Sequence, residues 1–158
     1  MEPLHLSNLA WAFASATRAD DFDLHRVGVR HEPLFVGIAA VAARRPSDFS
    51  PQHCSSMMWA FAACRIRDGA ESLASTVDIA LRQHPPGVQP RHAAGILWAL
   101  ATLSVSHAEL LDRVLDGCTA GGIDELARDG PAHLASILWS VARLSAPHRG
   151  FRTAARSS

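Results

Sequence analysis

A pattern of proline, histidine and tryptophan occurs four times in register along this chain of 158 residues. Each copy has proline eight residues and histidine six residues before a tryptophan, at Trp11, Trp59, Trp98 and Trp139. Successive tryptophans are 48, 39 and 41 residues apart. A fixed period near 40 with helical content is typical of helix-pair arrays, which bury their apolar faces only by stacking on neighbours. We therefore expect an all-α fold, an α-solenoid of helix-turn-helix repeats. Its single array over 1–158 would hold three and a half to four repeats at about 1–47, 48–87, 88–127 and 128–158, the last shortened.

The residues around each tryptophan predict a helix. In the second copy the small or apolar positions follow a spacing of three and four, as Cys54, Met57, Met58, Phe61, Ala62 and Cys64. That spacing builds one apolar stripe on a helix. Proline fits the first helical turn, and Ser50 is a good N-cap. We expect first helices over 3–16, 51–66, 90–104 and 131–144.

Second helices are less regular. They are predicted over 32–45, 70–82 and 107–118, each ended by proline or glycine. An extra turn is expected at 123–128, and a short fourth partner from about residue 147. The stretch 17–30 is interpreted as an inserted surface loop.

Composition excludes several kinds of protein. The formal net charge is zero, so no strong overall field attracts nucleic acid or a membrane. The three cysteines, Cys54, Cys64 and Cys118, lack the spacing of a disulfide framework or a zinc site. No apolar run is long enough to cross a membrane, and no signal or transit peptide is visible. We interpret the sequence as a fragment of a longer protein.

The recurring histidine raises the question of catalysis. Catalysis needs a nucleophile, an acid or a metal held beside the histidine, and no acid or cysteine recurs in register. A repeated structural contact, such as a hydrogen bond to the adjoining loop, is the simpler interpretation, with ligand contact left open. We expect no enzyme activity, no catalytic residue, no metal, no cofactor and no small-molecule substrate.

Three positions of the first helix vary between copies. Seven residues before tryptophan stand Leu4, Gln52, Arg91 and Ala132, four residues before it stand Ser7, Ser55, Ala94 and Ala135, and three residues before it stand Asn8, Ser56, Gly95 and Ser136. In modular RNA-binding repeats, two or three varied side chains of each repeat contact one base. The candidate base contacts are Asn8, Gln52, Ser56, Arg91, Ser136, His5, His53, His92 and His133. Ordinary variation at a solvent-exposed face is the alternative.

Arginines near the ends of the first helices are candidates for phosphate contacts. All 15 cationic side chains are arginine, which suits planar contacts to phosphate. The candidates are Arg18, Arg65, Arg67 and Arg143. Because acids lie close by and the net charge is zero, we expect weak RNA binding by this chain alone.

The block from Pro51 to Ala62, with histidine third and Trp-Ala-Phe-Ala at its end, resembles octotricopeptide-type repeats. These are related to the repeats of FAST-kinase-like and RAP-domain proteins. The resemblance implies an α-solenoid that binds single-stranded RNA in organellar RNA processing, stability or translation, in a mitochondrion or chloroplast. It implies no kinase activity, since no kinase motif is present, and no RAP-like domain is visible.

A protein-interaction scaffold of the HEAT or armadillo type is the alternative function. Neutral charge favours this scaffold, whereas the resemblance favours RNA. A continuous row of arginines along the first helices would support RNA binding, and its absence would support the scaffold. Other proteins are thus possible partners in addition to RNA, and no membrane is expected.

Overall fold

The computed structural model describes residues 2–18, 31–84 and 87–145, and this part of the chain contains helices and no strands. The all-α prediction is confirmed at this level. The helices are α1 (Pro3–Arg18), α2 (Glu32–Arg44), α3 (Pro51–Ala63), α4 (Ala70–Arg82), α5 (Pro90–Leu103), α6 (Ala108–Thr119), α7 (Ile123–Arg128) and α8 (Pro131–Ser145). A short 3-10 turn, Pro46–Asp48, precedes α3.

The predicted boundaries agree closely with these helices, with two differences. Helix α1 continues through Thr17 and Arg18, the first two residues of the predicted surface insertion. Helix α3 ends at Ala63, because Arg65 adopts a left-handed conformation with φ 56°. The remainder of the predicted insertion, 19–30, and the predicted fourth partner helix lie outside the described residues.

The four helices that carry tryptophan, here called the tryptophan helices, pack side by side in chain order: α1 on α3, α3 on α5, and α5 on α8. Helices α2, α4 and α6 pack in the same order in a second row. The tryptophan helices run parallel. Thr17 and Cys64, near the carboxyl ends of α1 and α3, share a hydrogen bond of 3.5 Å, and Arg143 of α8 donates to the carbonyl oxygen of Ala101 on α5 at 3.3 Å.

The core lies between and within the two rows. Met57, Met58 and Phe61 of α3 are fully buried, and Phe35 of α2 meets Phe61 edge-on with ring centroids 5.0 Å apart. Burying one side chain of this size contributes about 1.5–3 kcal/mol relative to leaving it in water. The predicted apolar stripe of α3 is thus buried except at Cys64, which is half-buried. The corresponding stripe is partly exposed on α8, where Leu138 is 61% accessible.

Helices α3 and α5 end in the same way. Arg65 and Ser104, each six residues after tryptophan, are left-handed, and the next amide donates five residues back, from Ile66 to Phe61 and from Val105 to Leu100. This arrangement satisfies carbonyls at the helix end and buries the apolar residue that follows. The common ending places Arg65 and Ser104 at the same edge of the array.

Candidate nucleic-acid interface

The four recurring histidines occupy the third position of the four tryptophan helices. At α3 the Ser50 hydroxyl accepts from the His53 amide, and the Ser50 amide donates to His53 Nδ1, both at 3.3 Å. The pair forms a reciprocal N-terminal cap in which the imidazole takes the place usually held by Glu or Gln. Burial lowers the pKa of His53, so the neutral ring that accepts this bond is favoured.

The other histidines make different contacts at the same edge. His133 Nδ1 lies 3.3 Å from the Asp129 carbonyl oxygen and 3.2 Å from its carboxylate. Burial, followed by the positive charge of Arg91, lowers the pKa of His92, while Asp129 acts in the opposite direction. His5 is exposed and lies with His53 along a shallow depression between the starts of α1 and α3. Two of the four histidines therefore contact the preceding loop, as the structural interpretation expects.

The varied position seven residues before tryptophan is exposed in all four tryptophan helices, at Leu4, Gln52, Arg91 and Ala132. Because the helices are parallel, these residues form a row along the amino-terminal edge, beside the histidines. Neighbouring packed helices are about 8–10 Å apart, so the row offers one side chain at each such interval.

The varied position three residues before tryptophan lies elsewhere. Gly95 of α5 packs directly on Ser55 of α3, so this position faces the preceding tryptophan helix. Ser56 and Ser136 are accordingly half-buried, whereas Asn8 is exposed on α1, which has no preceding helix among the described residues. Two of the three predicted base contacts at this position, Ser56 and Ser136, thus border helix-helix contacts and do not form a free strip with the exposed row.

The candidate phosphate contacts lie at the opposite edge. Arg18, Arg65, Arg67 and Arg143 are exposed at or just after the carboxyl ends of their helices. They follow the exposed row by 11 to 15 residues, which is about 16–22 Å along a helix. One nucleotide cannot span that distance between its base and its phosphate.

Two of these arginines already have partners in the fold. The Arg18 guanidinium lies 5.8 Å from the Trp59 ring centroid, and Arg143 lies 5.7 Å from that of Trp139. Such cation–π contacts contribute about 0.5–1 kcal/mol at exposed sites. At α5, Ser104 occupies the equivalent place, so the row of arginines is interrupted.

The sequence did not reveal the strongest charge cluster of the described residues. Asp78 of α4 is 2% exposed and accepts from Arg82 at 2.6 Å and from Arg113 of α6 at 2.7 Å. Burial alone would raise the pKa of Asp78, but the hydrogen bonds and charges of Arg113 and Arg82 outweigh it and lower the pKa. The four-residue spacing of Asp78 and Arg82 on one helix predicts an ion pair. Arg113 could not be predicted as a partner because it is 35 residues from Asp78 in the chain.

The described residues contain no group of three or more metal-ligating side chains. Within the same ranges, no helix combines the length and hydropathy needed to span a bilayer. A cavity of about 740 Å³ between α5, α6 and α8 is lined by His107, Trp139 and Arg143, of which only Arg143 is a candidate contact.

Comparisons of the chain with known protein families, with curated proteins and with solved structures yield no match.

Proposed function

We propose that this chain is an α-solenoid segment that binds single-stranded RNA along the amino-terminal edge of its tryptophan helices. The observation that carries the proposal is the exposed row of Leu4, Gln52, Arg91 and Ala132, with one varied side chain for each helix. Constant residues build the packing and the varied residues of this row face solvent, which is the arrangement that a modular reader needs. The resemblance to octotricopeptide-type repeats supports organellar RNA processing, stability or translation as the setting of this proposed activity.

The chemistry of the row differs along the array. The Gln52 amide and the Arg91 guanidinium form directed hydrogen bonds to base edges, whereas Leu4 and Ala132 offer only apolar contact. His53 and His92 flank the two polar positions and favour the neutral form, since their pKa values are lowered. We therefore expect the sequence preference to come mainly from the second and third repeats.

The arginines at the carboxyl-terminal edge are too far away to hold the phosphates of the bases in contact with this row. With zero net charge as well, few phosphates are neutralised, and both the affinity and its dependence on salt should be small.

Filter binding of the full chain to random single-stranded RNA, at two salt concentrations, tests this proposal. Arg91→Ala and Gln52→Ala should each weaken binding several-fold. Arg44→Ala is the charge-matched control, because Arg44 is exposed at the end of α2 in the second row. Equal effects of Arg91→Ala and Arg44→Ala, or no RNA binding at all, would contradict the proposal.

A protein-interaction scaffold is the second candidate. It is favoured because three described arginines are paired with acids: Arg45 with Asp48, and Arg82 and Arg113 with Asp78. These three arginines lie in or beside the second row, and along the tryptophan helices the row of arginines is interrupted at Ser104. Partners captured by the chain and retained after RNase treatment, together with no RNA binding, would favour the scaffold.

A further inference from the structure

The tryptophan helices contact one another through two fixed sets of positions. Counted from tryptophan, positions −3, +1 and +4 face the preceding helix, and positions −4, −1 and +3 face the following one. Gly95 at −3 packs on Ser55 at −4, and Arg143 at +4 donates to the carbonyl of Ala101 at +3. The same surfaces are therefore used at successive contacts.

The forward-facing positions are covered wherever a following helix is present. On α1 these are Ser7, Ala10 and Ala14, and on α5 they are Ala94, Leu97 and Ala101; all six are buried. On α3, Met58 and Ala62 are buried as well, and Ser55 is half-buried.

On α8 the forward-facing positions are Ala135, Leu138 and Ala142, here called the tail face, and all three are exposed. Leu138 is 61% accessible, whereas its counterparts on the three preceding helices are fully buried. The two alanines at its sides match the small residues that allow close approach at the internal contacts.

The backward-facing positions show the converse. Ala60, Ala99 and Ser140, each directly after tryptophan and one turn after position −3, are fully buried. On α1 the backward-facing positions are Asn8, Ala12 and Ser15, here called the head face, and Asn8 and Ala12 are exposed. Head and tail faces therefore lie at opposite ends of the row. Together they correspond to the two sides of the contact that occurs three times between neighbouring tryptophan helices.

We propose that the tail face of one chain binds the head face of a second copy of this chain, which continues the row of tryptophan helices. The two faces differ, so the contact is heterologous and extends head to tail instead of closing into a symmetric dimer. None of the six side chains is charged, so association should be insensitive to salt or strengthened by it. This property separates it from RNA binding, on which it does not depend.

Sedimentation velocity of the full chain over a wide range of concentration tests the proposal. Wild type should form a growing series of species. Ala12→Glu and Leu138→Glu should each be monomeric alone, but an equal mixture should form a one-to-one dimer and nothing larger. The dimer follows because Ala12→Glu keeps an intact tail face and Leu138→Glu keeps an intact head face.

Ile79→Glu is the matched control, since Ile79 is an exposed apolar residue of the second row. This variant should associate like wild type. Asn8→Arg and Ala142→Arg provide a second pair if either glutamate variant has a lowered unfolding midpoint. Three results would overturn the proposal: a wild-type chain that is monomeric throughout, as expected if residues 146–158 cover the tail face; a mixture that stays monomeric; or an Ile79→Glu variant that also fails to associate.

Discussion

Gly95 of α5 lies so close to Ser55 of α3 that a methyl group built on the glycine would overlap the serine hydroxyl. The two positions differ by one when counted from their tryptophans. This contact therefore defines the register in which one tryptophan helix packs on the next, and it removes the position of Gly95 from the surface available to a ligand.

Gly95→Leu should lower the free energy of unfolding by about 1–3 kcal/mol, because the added side chain must separate α3 from α5. Gly37→Leu is the control. Gly37 lies within α2 with no neighbouring atom near its missing Cβ, and replacing glycine inside a helix should be neutral or gain up to about 1 kcal/mol. Urea unfolding followed by circular dichroism measures both, and equal losses would refute the close contact.

Asp78→Asn should lower the free energy of unfolding by about 1–3 kcal/mol. This loss is smaller than that for breaking a wholly buried ion pair, because the side chains of Arg82 and Arg113 remain partly exposed. Asp48→Asn removes the exposed pair with Arg45 and should cost less than about 1 kcal/mol. Comparable losses in urea unfolding of the two variants would show that Asp78 does not link α4 to α6.

Acid should remove the contribution of Asp78. Its pKa is lower in the folded chain than in the unfolded one, so its stabilisation is complete above the unfolded value of about 4 and is lost as the pH falls through the folded value. The difference in unfolding midpoint between wild type and Asp78→Asn should be constant from neutral pH to about pH 5 and shrink towards pH 3. A difference that persists unchanged at pH 3 would contradict this.

The cap of α3 provides a second pH effect. Ser50→Ala should lower the free energy of unfolding by about 1 kcal/mol. The pKa of His53 is lowered by burial, and protonation of the ring removes the Nδ1 acceptor of the cap. The stabilisation that His53 gives to the folded chain is therefore present above about pH 6.5 and is lost below it. His53→Gln keeps an acceptor that does not titrate. The drop in unfolding midpoint between neutral pH and pH 5 should therefore be smaller in this variant than in wild type, and an equal drop would count against the cap.

The three thiols should react in a definite order. Burial raises the pKa of Cys54 to about 12 and also raises those of Cys64 and Cys118. Cys64 is the only one of the three that is not fully buried, and thiolates are the reactive form. Alkylation at neutral pH, read by mass spectrometry, should modify Cys64 first and Cys54 only after unfolding. Early modification of Cys54 would show that α3 is less well packed than described.

Part of the candidate site could be predicted from the sequence. The exposed position at Gln52 and Arg91 was predicted to face solvent with the histidines, and it does. The position of Ser56 and Ser136 was placed on the same strip but borders the preceding helix. A helical period distinguishes the stripe that enters the core from the rest of the surface, but it does not show which side of that surface a neighbouring helix will cover.

The sequence by itself determined where the helices begin and which stripe they bury. Ser50, Pro51 and His53 define a helix start through contacts within one turn, and the apolar spacing around Trp59 acts within a few turns. Such features depend on residues that are close together in the chain, so they can be predicted without the tertiary structure. Only the tertiary structure decided that Asp78 pairs with Arg113 and that Gly95 packs on Ser55. Those relationships depend on the register and parallel direction in which distant helices pack, and that is a property of the assembled rows.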